Sequence, residues 1–397
     1  MKEKIVVQNL YKVFGKHPEK GVALSKEGHT KDDILKKTGL GIGVNNASFV
    51  VNEGEILVVM GLSGSGKSTL VRCINRLIEP TAGKVFLDGD DVTAMEAENL
   101  RVLRQQRFGM VFQHFGLFPR RSVIKNVEYG LEIQKVDPGE RRDRAMQALE
   151  QVGLKGWEDY PPSQLSGGMQ QRVGLARALA LDPEVLLMDE AFSALDPLIR
   201  RDMQDELIKL QEKMHKTIIF ISHDLDEALK LGDRIVLMKD GLIVQQGTGE
   251  EILTNPATRY VEKFVEDVDM TKVITAQSVM KNPQEVASLK NDGPRAALHK
   301  MGYAGISSIF VQDRGRLKGI VYADDVDAAI KRGDKDLSGI LNENIVTVAL
   351  DTPANKLFDL IVTNSPLAVV DDKQELAGVI IKGALLDALA QGGQGDV

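Results

Sequence analysis

The chain has 397 residues, a net charge of −7 and a single cysteine, and 43% of its residues are hydrophobic and 5% aromatic. This length predicts two or three domains, and the acidic balance with few aromatics argues against a nucleic-acid partner. The lone Cys73 excludes an internal disulfide and fits a reducing compartment, and we expect neither a signal peptide nor a membrane span of about 20 apolar residues.

Residues 1–268 alternate strand-like and helix-like segments, which predicts a nucleotide-binding α/β domain. The strand-like segments are 5–7, 55–60, 83–87, 109–112, 185–188, 217–221 and 234–238. Residues 16–45 interrupt this alternation as a polar surface insertion between the first two strands. Inside the insertion, Thr30 as an N-cap and Gly39 as a stop signal predict one short helix.

The run from Gly61 to Thr69 has the spacing G-x-x-x-x-G-K-[ST] of a phosphate-binding loop. An apolar strand precedes it and a helix-period segment follows, which is the context that such a loop requires. We expect Lys67 to reach the outer phosphates of a nucleotide and the Ser68 hydroxyl to ligate Mg²⁺. The predicted phosphate-binding residues are Gly61, Ser63, Gly64, Ser65, Gly66, Lys67, Ser68 and Thr69.

Four polar side chains follow other apolar strands, at the carboxyl ends where open α/β sheets bind ligands. Asp189 and Glu190 end the apolar run that begins at Val185; we expect Asp189 to hold Mg²⁺ and Glu190 to activate the attacking water as a general base. Gln113 and His223 each leave a strand in the same way. We expect them to contact Mg²⁺, water and the γ-phosphate, so that Gln113 counts as both a metal ligand and a catalytic residue.

A second helix start also has the features of an anion-binding site. Ser166, Gly167 and Gly168 open a helix-period segment within the run Leu165-Ser-Gly-Gly-Met-Gln-Gln-Arg172. One chain does not readily need two phosphate-binding helix starts, so we expect a second copy of the chain to use one of them.

These motifs together resemble the ATP-binding cassette (ABC) ATPase family over residues 1 to about 265, including the run Ser193-Ala-Leu-Asp196. The resemblance implies an α/β fold with a RecA-like core and a helical subdomain at about 114–178. It also implies a head-to-tail homodimer that holds two ATP molecules, in which Ser166 and Gly168 of one subunit face the phosphate loop of the other.

The same resemblance assigns further roles. Asp196 would connect the two sites across the dimer, and Glu190 with His223 would drive hydrolysis. Phe14 stands where the family places an aromatic ring against adenine, although a core position is an alternative. Phe115, Leu117 and Phe118 follow Gln113 directly, and we expect at least one of them to line a groove that receives a permease helix.

An acidic stretch ending at Asp269 precedes two similar blocks, so we place a domain boundary near 268–273. The segments Ile309–Val321 and Ala368–Ile380 repeat the order strand, acidic turn, strand. This pair resembles tandem cystathionine-β-synthase (CBS) modules, at 273–333 and 337–390, which form an α+β unit. With the insertion 16–45, the pair makes the whole chain similar to the ATPase subunits of glycine betaine/proline importers.

That narrower resemblance implies regulation through the CBS modules. Both modules depart from the G-x-[ST]-x-x-[DN] turn that holds adenosine nucleotides, because Gly319 and Gly378 are followed by no hydroxyl residue at that place. Two routes remain open: a basic surface at Lys331, Arg332 and Lys335 facing anionic lipid, and cyclic di-AMP contacting Ile381 and Lys382.

The sequence therefore predicts the ATP-hydrolysing subunit of an importer for a compatible solute, such as glycine betaine, another quaternary ammonium compound or proline. We expect it to lie peripherally on the cytoplasmic face of the cell membrane, with permease subunits and a substrate-binding protein or domain as partners. The alternatives are a soluble ABC ATPase, an importer ATPase for another substrate, and a CBS sensor whose cassette only binds ATP. Intact Glu190 and His223 argue against the last.

Overall fold

The computed structural model describes residues 2–113, 116–266, 271 and 274–386. The chain divides into two compact units, Met1–Glu266 and Asp267–Val397, and each has hydrophobic clusters of its own. The predicted boundary at 268–273 lies, except for residue 271, outside the described residues.

The first unit contains ten strands and twelve α-helices among its described residues. The strands are β1 (Glu3–Phe14), β2 (Gly41–Asn52), β3 (Ile56–Met60), β4 (Ala82–Leu87), β5 (Asp90–Asp91), β6 (Phe108–Val111), β7 (Val185–Asp189), β8 (Thr217–Ser222), β9 (Arg234–Lys239) and β10 (Leu242–Gly247). The helices are α1 (Pro18–Lys26), α2 (Lys31–Thr38), α3 (Lys67–Ile74), α4 (Ala97–Gln106), α5 (Val123–Val127), α6 (Tyr129–Ile133), α7 (Pro138–Gln151), α8 (Gly167–Leu179), α9 (Pro197–Met214), α10 (Leu225–Leu231), α11 (Gly249–Thr254) and α12 (Arg259–Val265).

Two sheets organise this unit. The larger has the order β10-β9-β3-β8-β7-β6, and its strands β9, β3, β8, β7 and β6 run parallel. The smaller has the order β2-β1-β4-β5 and is antiparallel. β3, β7 and β8 are buried along their whole length, as expected for parallel strands covered on both faces. All seven predicted strands are present.

The insertion differs in detail from the prediction. The predicted helix is confirmed as α2: Thr30 caps it through a capping box with Asp33, and Gly39 ends it in a left-handed conformation. A second helix, α1, precedes it and was not predicted. β2 begins at Gly41, so residues 41–45 belong to a strand and not to a surface loop.

The second unit consists of two similar three-stranded halves. The elements of the first half are β11 (Ala287–Ser288), α14 (Pro294–Ala304), β12 (Ser308–Asp313), β13 (Arg316–Tyr322) and α15 (Ala323–Arg332). The short helix α13 (Ala276–Val279) precedes them in the chain, but its buried residues belong to the hydrophobic cluster of the second half. The elements of the second half are β14 (Thr347–Ala349), α16 (Ala354–Thr363), β15 (Leu367–Val370) and β16 (Leu376–Ile380). In each half a parallel pair is followed by an antiparallel pair, which confirms the predicted repeat.

Candidate active site

The phosphate loop leaves β3 at Gly61 and enters α3 at Lys67. Its two outer glycines have no room for a side chain: a Cβ on Gly61 would lie 2.1 Å from the Met238 carbonyl oxygen, and a Cβ on Gly66 would lie 2.0 Å from that of Gly43. Both also have positive φ, at 142° and 104°. The backbone therefore makes the close approach that this motif predicts.

Lys67 is buried at the start of α3. Its Nζ donates to the carbonyl oxygens of Gly61 at 2.7 Å and Leu62 at 3.1 Å. Burial lowers the pKa of Lys67, while the Glu190 and Asp189 carboxylates act in the opposite direction. Because the N-cap Gly66 provides no side-chain acceptor, the first turn of α3 keeps its N–H donors for an anion.

Asp189, at the end of β7, lies beside the phosphate loop as predicted. It is buried, and it accepts hydrogen bonds from the Ser68 hydroxyl at 2.8 Å and from Arg72 Nη2 at 3.0 Å. A hydroxyl and a carboxylate in contact form the hard oxygen donor set that Mg²⁺ prefers, so these residues fit that ion. Arg72 was not among the predicted site residues, although its position four residues after Ser68 places it on the same face of α3.

Glu190, Gln113 and His223 also lie together. Glu190 Oε2 is 3.1 Å from Gln113 Nε2, which donates to it, and 3.6 Å from His223 Nδ1. Gln113 Nε2 is also 3.3 Å from the Ser193 hydroxyl oxygen. Glu190 has φ of 46°, the left-handed region, so the chain turns sharply after β7. Three strand ends thus bring a carboxylate, an amide and an imidazole to one place.

The loop that carries His223 is held in place by the buried carboxylate of Glu227. The Ser222 hydroxyl donates to the buried Glu227 carboxylate, and Gln204 Nε2 donates to the same group at 3.0 Å. Burial raises the pKa of Glu227. This network fixes the residue before His223 while His223 itself stays half exposed.

Phe14 lies at the end of β1 and is 45% exposed, which excludes the alternative core role. Its ring lies against Gly43, where an added Cβ would be 2.8 Å from Phe14 Cε2 and 3.0 Å from Thr69 Cγ2. An exposed ring beside the first turn of α3 is suitably placed to stack on a base.

The second predicted anion-binding helix start is formed by α8. Ser166 is its N-cap and accepts a hydrogen bond from Met169 N at 3.3 Å. Gly168 packs on α9, since an added Cβ would lie 2.5 Å from Ile199 Cγ2. Among the described residues, no hydrogen bond joins Ser166, Gly167 or Gly168 to the phosphate loop. Asp196 is the N-cap of α9, and its side chain makes no cap hydrogen bond.

An aromatic patch follows Gln113. Phe118 is 37% exposed, its ring centroid lies 4.5 Å from that of Tyr129, and the Arg121 guanidinium covers both rings. Asn126 holds this turn by accepting from Phe118 N at 2.7 Å. Phe115 lies outside the described residues.

The second unit has a cleft of about 460 Å³ between its two halves. Its lining includes Ile381, Tyr322 and Phe310, but not Lys382, whose Nζ is 3.5 Å from the Val362 carbonyl oxygen. In the predicted basic surface, Lys331 pairs with Asp327 at 2.6 Å and Arg332 pairs with Asp334 at 2.8 Å. These neighbouring acids neutralise much of the positive charge predicted there. Lys335 lies beside a smaller pocket next to Arg295.

None of the helices in the described ranges combines the length and hydrophobicity needed to cross a lipid bilayer.

Comparisons with known proteins agree with this geometry. The family model "ABC transporter" matches residues 44–193, and the CBS domain model matches residues 336–391. The glycine betaine transport ATP-binding protein OpuAA of Bacillus subtilis (strain 168) is 57% identical over 98% of this chain and 92% of its own length. The glycine betaine/proline betaine transport system ATP-binding protein ProV of Escherichia coli (strain K12) is 46% identical, over 98% of both chains.

The solved structures give the same result for the cassette. The dimeric bacterial ABC transporter cassette MJ0796 matches with a TM-score of 0.52 and 32% identity, over 62% of this chain and 98% of that one. Its post-hydrolysis state bound to ADP and Pi matches with a TM-score of 0.52 and 31% identity. The chain therefore belongs to the ABC transporter family, among the ATP-binding proteins of glycine betaine transport systems, and is an ATP hydrolase with a carboxyl-terminal CBS domain.

Proposed function

We propose that this chain hydrolyses ATP at the phosphate loop with Glu190 as the general base. The observation that carries the proposal is the contact of Glu190 Oε2 with both Gln113 Nε2 and His223 Nδ1, beside the Ser68–Asp189 pair. A carboxylate oriented by an amide and an imidazole can accept a proton from an attacking water.

In this proposal each part of the site has a separate task. The residues from Gly61 to Thr69 bind the phosphates, and Lys67 neutralises the outer ones. Ser68, Asp189 and Gln113 would hold Mg²⁺, which neutralises charge on the phosphates when it is bound. Phe14 stacks on adenine.

Glu190→Gln tests the assignment of the base. The amide keeps the shape and the Gln113 contact but cannot accept the proton, so we expect turnover to fall by about 10²–10⁴-fold with ATP binding retained. Glu184→Gln is the matched control, because Glu184 pairs with Lys4 and Arg107 away from the site. Near wild-type turnover in Glu190→Gln would show that another group acts as the base.

We further propose a head-to-tail homodimer. Ser166, Gly167 and Gly168 form a capped helix start, and the dimeric cassette relative supports pairing of two copies. In such a dimer this helix start completes the phosphate site of the other subunit, and Asp196 lies between the two sites.

We also propose that the chain couples to a membrane permease, with a substrate-binding protein or domain, on the cytoplasmic face of the membrane, since its relatives are named as ATP-binding proteins of transport systems. Their names give glycine betaine, with proline betaine in one case, as the transported solutes. We assign this chain to an importer of the same class of quaternary ammonium solute. The exposed aromatic patch at Phe118 and the neighbouring Leu117 are proposed to receive the permease helix.

Finally, we propose that the second unit regulates transport. Its cleft has apolar walls, including Ile381, that suit a purine base. A two-fold symmetric ligand such as cyclic di-AMP would match the symmetry of a homodimer. Contact of this unit with an anionic lipid surface is the second route, and the acidic partners of Lys331 and Arg332 make it the weaker one.

A further inference from the structure

The insertion between β1 and β2 is firmly packed on the smaller sheet. Val22 of α1 and Ile34 of α2 are buried in one cluster with Tyr11 and Ile42. Gly21 lies so close to β1 that an added Cβ would be 2.8 Å from Val13 Cγ1. The two helices are therefore fixed relative to β1 and β2 of the smaller sheet.

The first link from the insertion to the phosphate loop is direct. Lys31 is the first residue of α2, and its Nζ donates to the carbonyl oxygen of Gly64 at 3.2 Å. The capping box of Thr30 and Asp33 holds this end of the helix in place. Gly64 has φ of 78°, so the loop has a left-handed turn at the residue that Lys31 contacts.

The second link reaches the next carbonyl by a chain of three hydrogen bonds. The Ser25 hydroxyl, at the end of α1, donates to Asn45 Oδ1 at 2.5 Å. Asn45 N donates to the Gly241 carbonyl oxygen at 2.8 Å, and Gly241 N donates to the Ser65 carbonyl oxygen at 2.9 Å. Two successive peptide groups of the loop, 64–65 and 65–66, are thus held from outside.

Holding these carbonyls has a consequence for anion binding. In a planar trans peptide the C=O and N–H groups point in opposite directions, so fixing the carbonyl of Ser65 also fixes the N–H of Gly66. Loop N–H groups are the donors for phosphate, and a loop already held in its bound geometry loses less entropy when the nucleotide binds.

We propose that the insertion is a brace for the phosphate loop and that Lys31 is a positioning residue for ATP, acting through the Gly64 carbonyl. This proposal rests on the proposed binding of ATP at that loop. It predicts that loss of the brace weakens nucleotide binding more than it slows the chemical step.

The test compares full-length wild type with Lys31→Met, Lys31→Arg and Lys36→Met. Lys36 is an exposed residue of the same helix and serves as the matched control. With a fluorescent ATP analogue, we expect Lys31→Met to raise Kd about three- to tenfold, as for loss of one partly exposed charged hydrogen bond. In Lys31→Met the KM for ATP should rise by the same factor as Kd, and kcat should fall by a smaller factor. Lys31→Arg should restore the wild-type Kd, and Lys36→Met should have the Kd and kcat of wild type.

Two results would overturn the brace. One is a Kd for Lys31→Met equal to that of Lys36→Met; the other is a fall in kcat with unchanged Kd. If Lys31→Met lowers the melting temperature without nucleotide, Ser25→Ala tests the second link, and its unchanged Kd also counts against the proposal. Lys67→Ala separates the two hypotheses: if it still binds the analogue like wild type, ATP does not bind at this loop at all.

Discussion

Replacement of Arg200 should slow ATP hydrolysis although this residue is not itself at the reacting atoms. Arg200 lies in the first turn of α9, and its guanidinium donates to three carbonyl oxygens: Phe192 at 3.2 Å, and Ser193 and Leu195 at 3.3 Å. Its Nη1 is also 3.6 Å from Asp224 Oδ2, next to His223. One side chain therefore holds the segment after Glu190 and approaches the segment that carries His223.

The size of the effect follows from these contacts. The three hydrogen bonds are long, so we assign each the low end of the usual range, about 0.5 kcal/mol. The pair with Asp224 is partly exposed and adds little. If the sum of about 1.5 kcal/mol is lost from the transition state alone, kcat falls about tenfold, since about 1.4 kcal/mol corresponds to a factor of ten.

The assay is steady-state ATP hydrolysis by full-length Arg200→Met and Arg200→Lys, with kcat and KM fitted separately. Arg201 is the next residue on α9 and is exposed, so Arg201→Met is the matched control. Lysine keeps the charge near Asp224 but cannot reach three carbonyls, so we expect it to recover only part of kcat. A kcat for Arg200→Met equal to that of Arg201→Met, with the variant still folded by its melting temperature, would refute this reasoning.

Two further predictions concern stability and regulation. The hydrogen bond from Arg107, with the contacts of Lys4, lowers the pKa of Glu184 to about 2. Because this folded-state pKa lies below the unfolded value of about 4.5, the pair stabilises the fold fully above pH 4.5 and ceases to do so as pH falls toward 2. As pH is lowered from 4.5 to 2, the melting temperature of Glu184→Gln should therefore fall less than that of wild type. An equal fall in both proteins would contradict the stabilising role of the Glu184 carboxylate. Truncation after Asp269 should leave ATP hydrolysis that still requires Glu190 and no longer responds to cyclic di-AMP; a full response in the truncated protein would place the sensor in the first unit.

The sequence was sufficient for the parts of the site whose chemistry is local. The phosphate loop needs glycines at fixed spacing because Gly61 and Gly66 approach backbone carbonyls closely, and that spacing is visible in any sequence. The positions of Asp189 and Glu190 were also predictable. Acids that follow a buried apolar strand of a parallel sheet lie at its carboxyl end, which is the edge where such sheets bind ligands.

The insertion was harder to predict for a physical reason. The capping residues of α2 are strong local signals, and that helix was found. α1 has Pro18 and Glu19 in its first turn, but its N-cap His17 is left-handed and provides no side-chain cap, and the helix contains Gly21, so its local signals are mixed. Its helix is stabilised by packing of Val22 into the sheet, which depends on residues distant in the chain.

Arg200 and Lys31 show a limit of a different kind. Both bind backbone carbonyl oxygens, which every residue possesses, so nothing in the composition of the contacted segment reveals the contact. Each contact forms because the fold brings the end of a long side chain within hydrogen-bonding distance of a carbonyl oxygen elsewhere in the chain. Because these contacts act on the geometry of a loop and not on the reacting groups, we expect their loss to change affinity or rate by up to about tenfold, whereas we expect loss of the proposed base Glu190 to lower turnover by about 10²–10⁴-fold. The motifs of this ATPase thus predict its reacting groups, whereas the geometry of its loops also depends on residues outside the motifs.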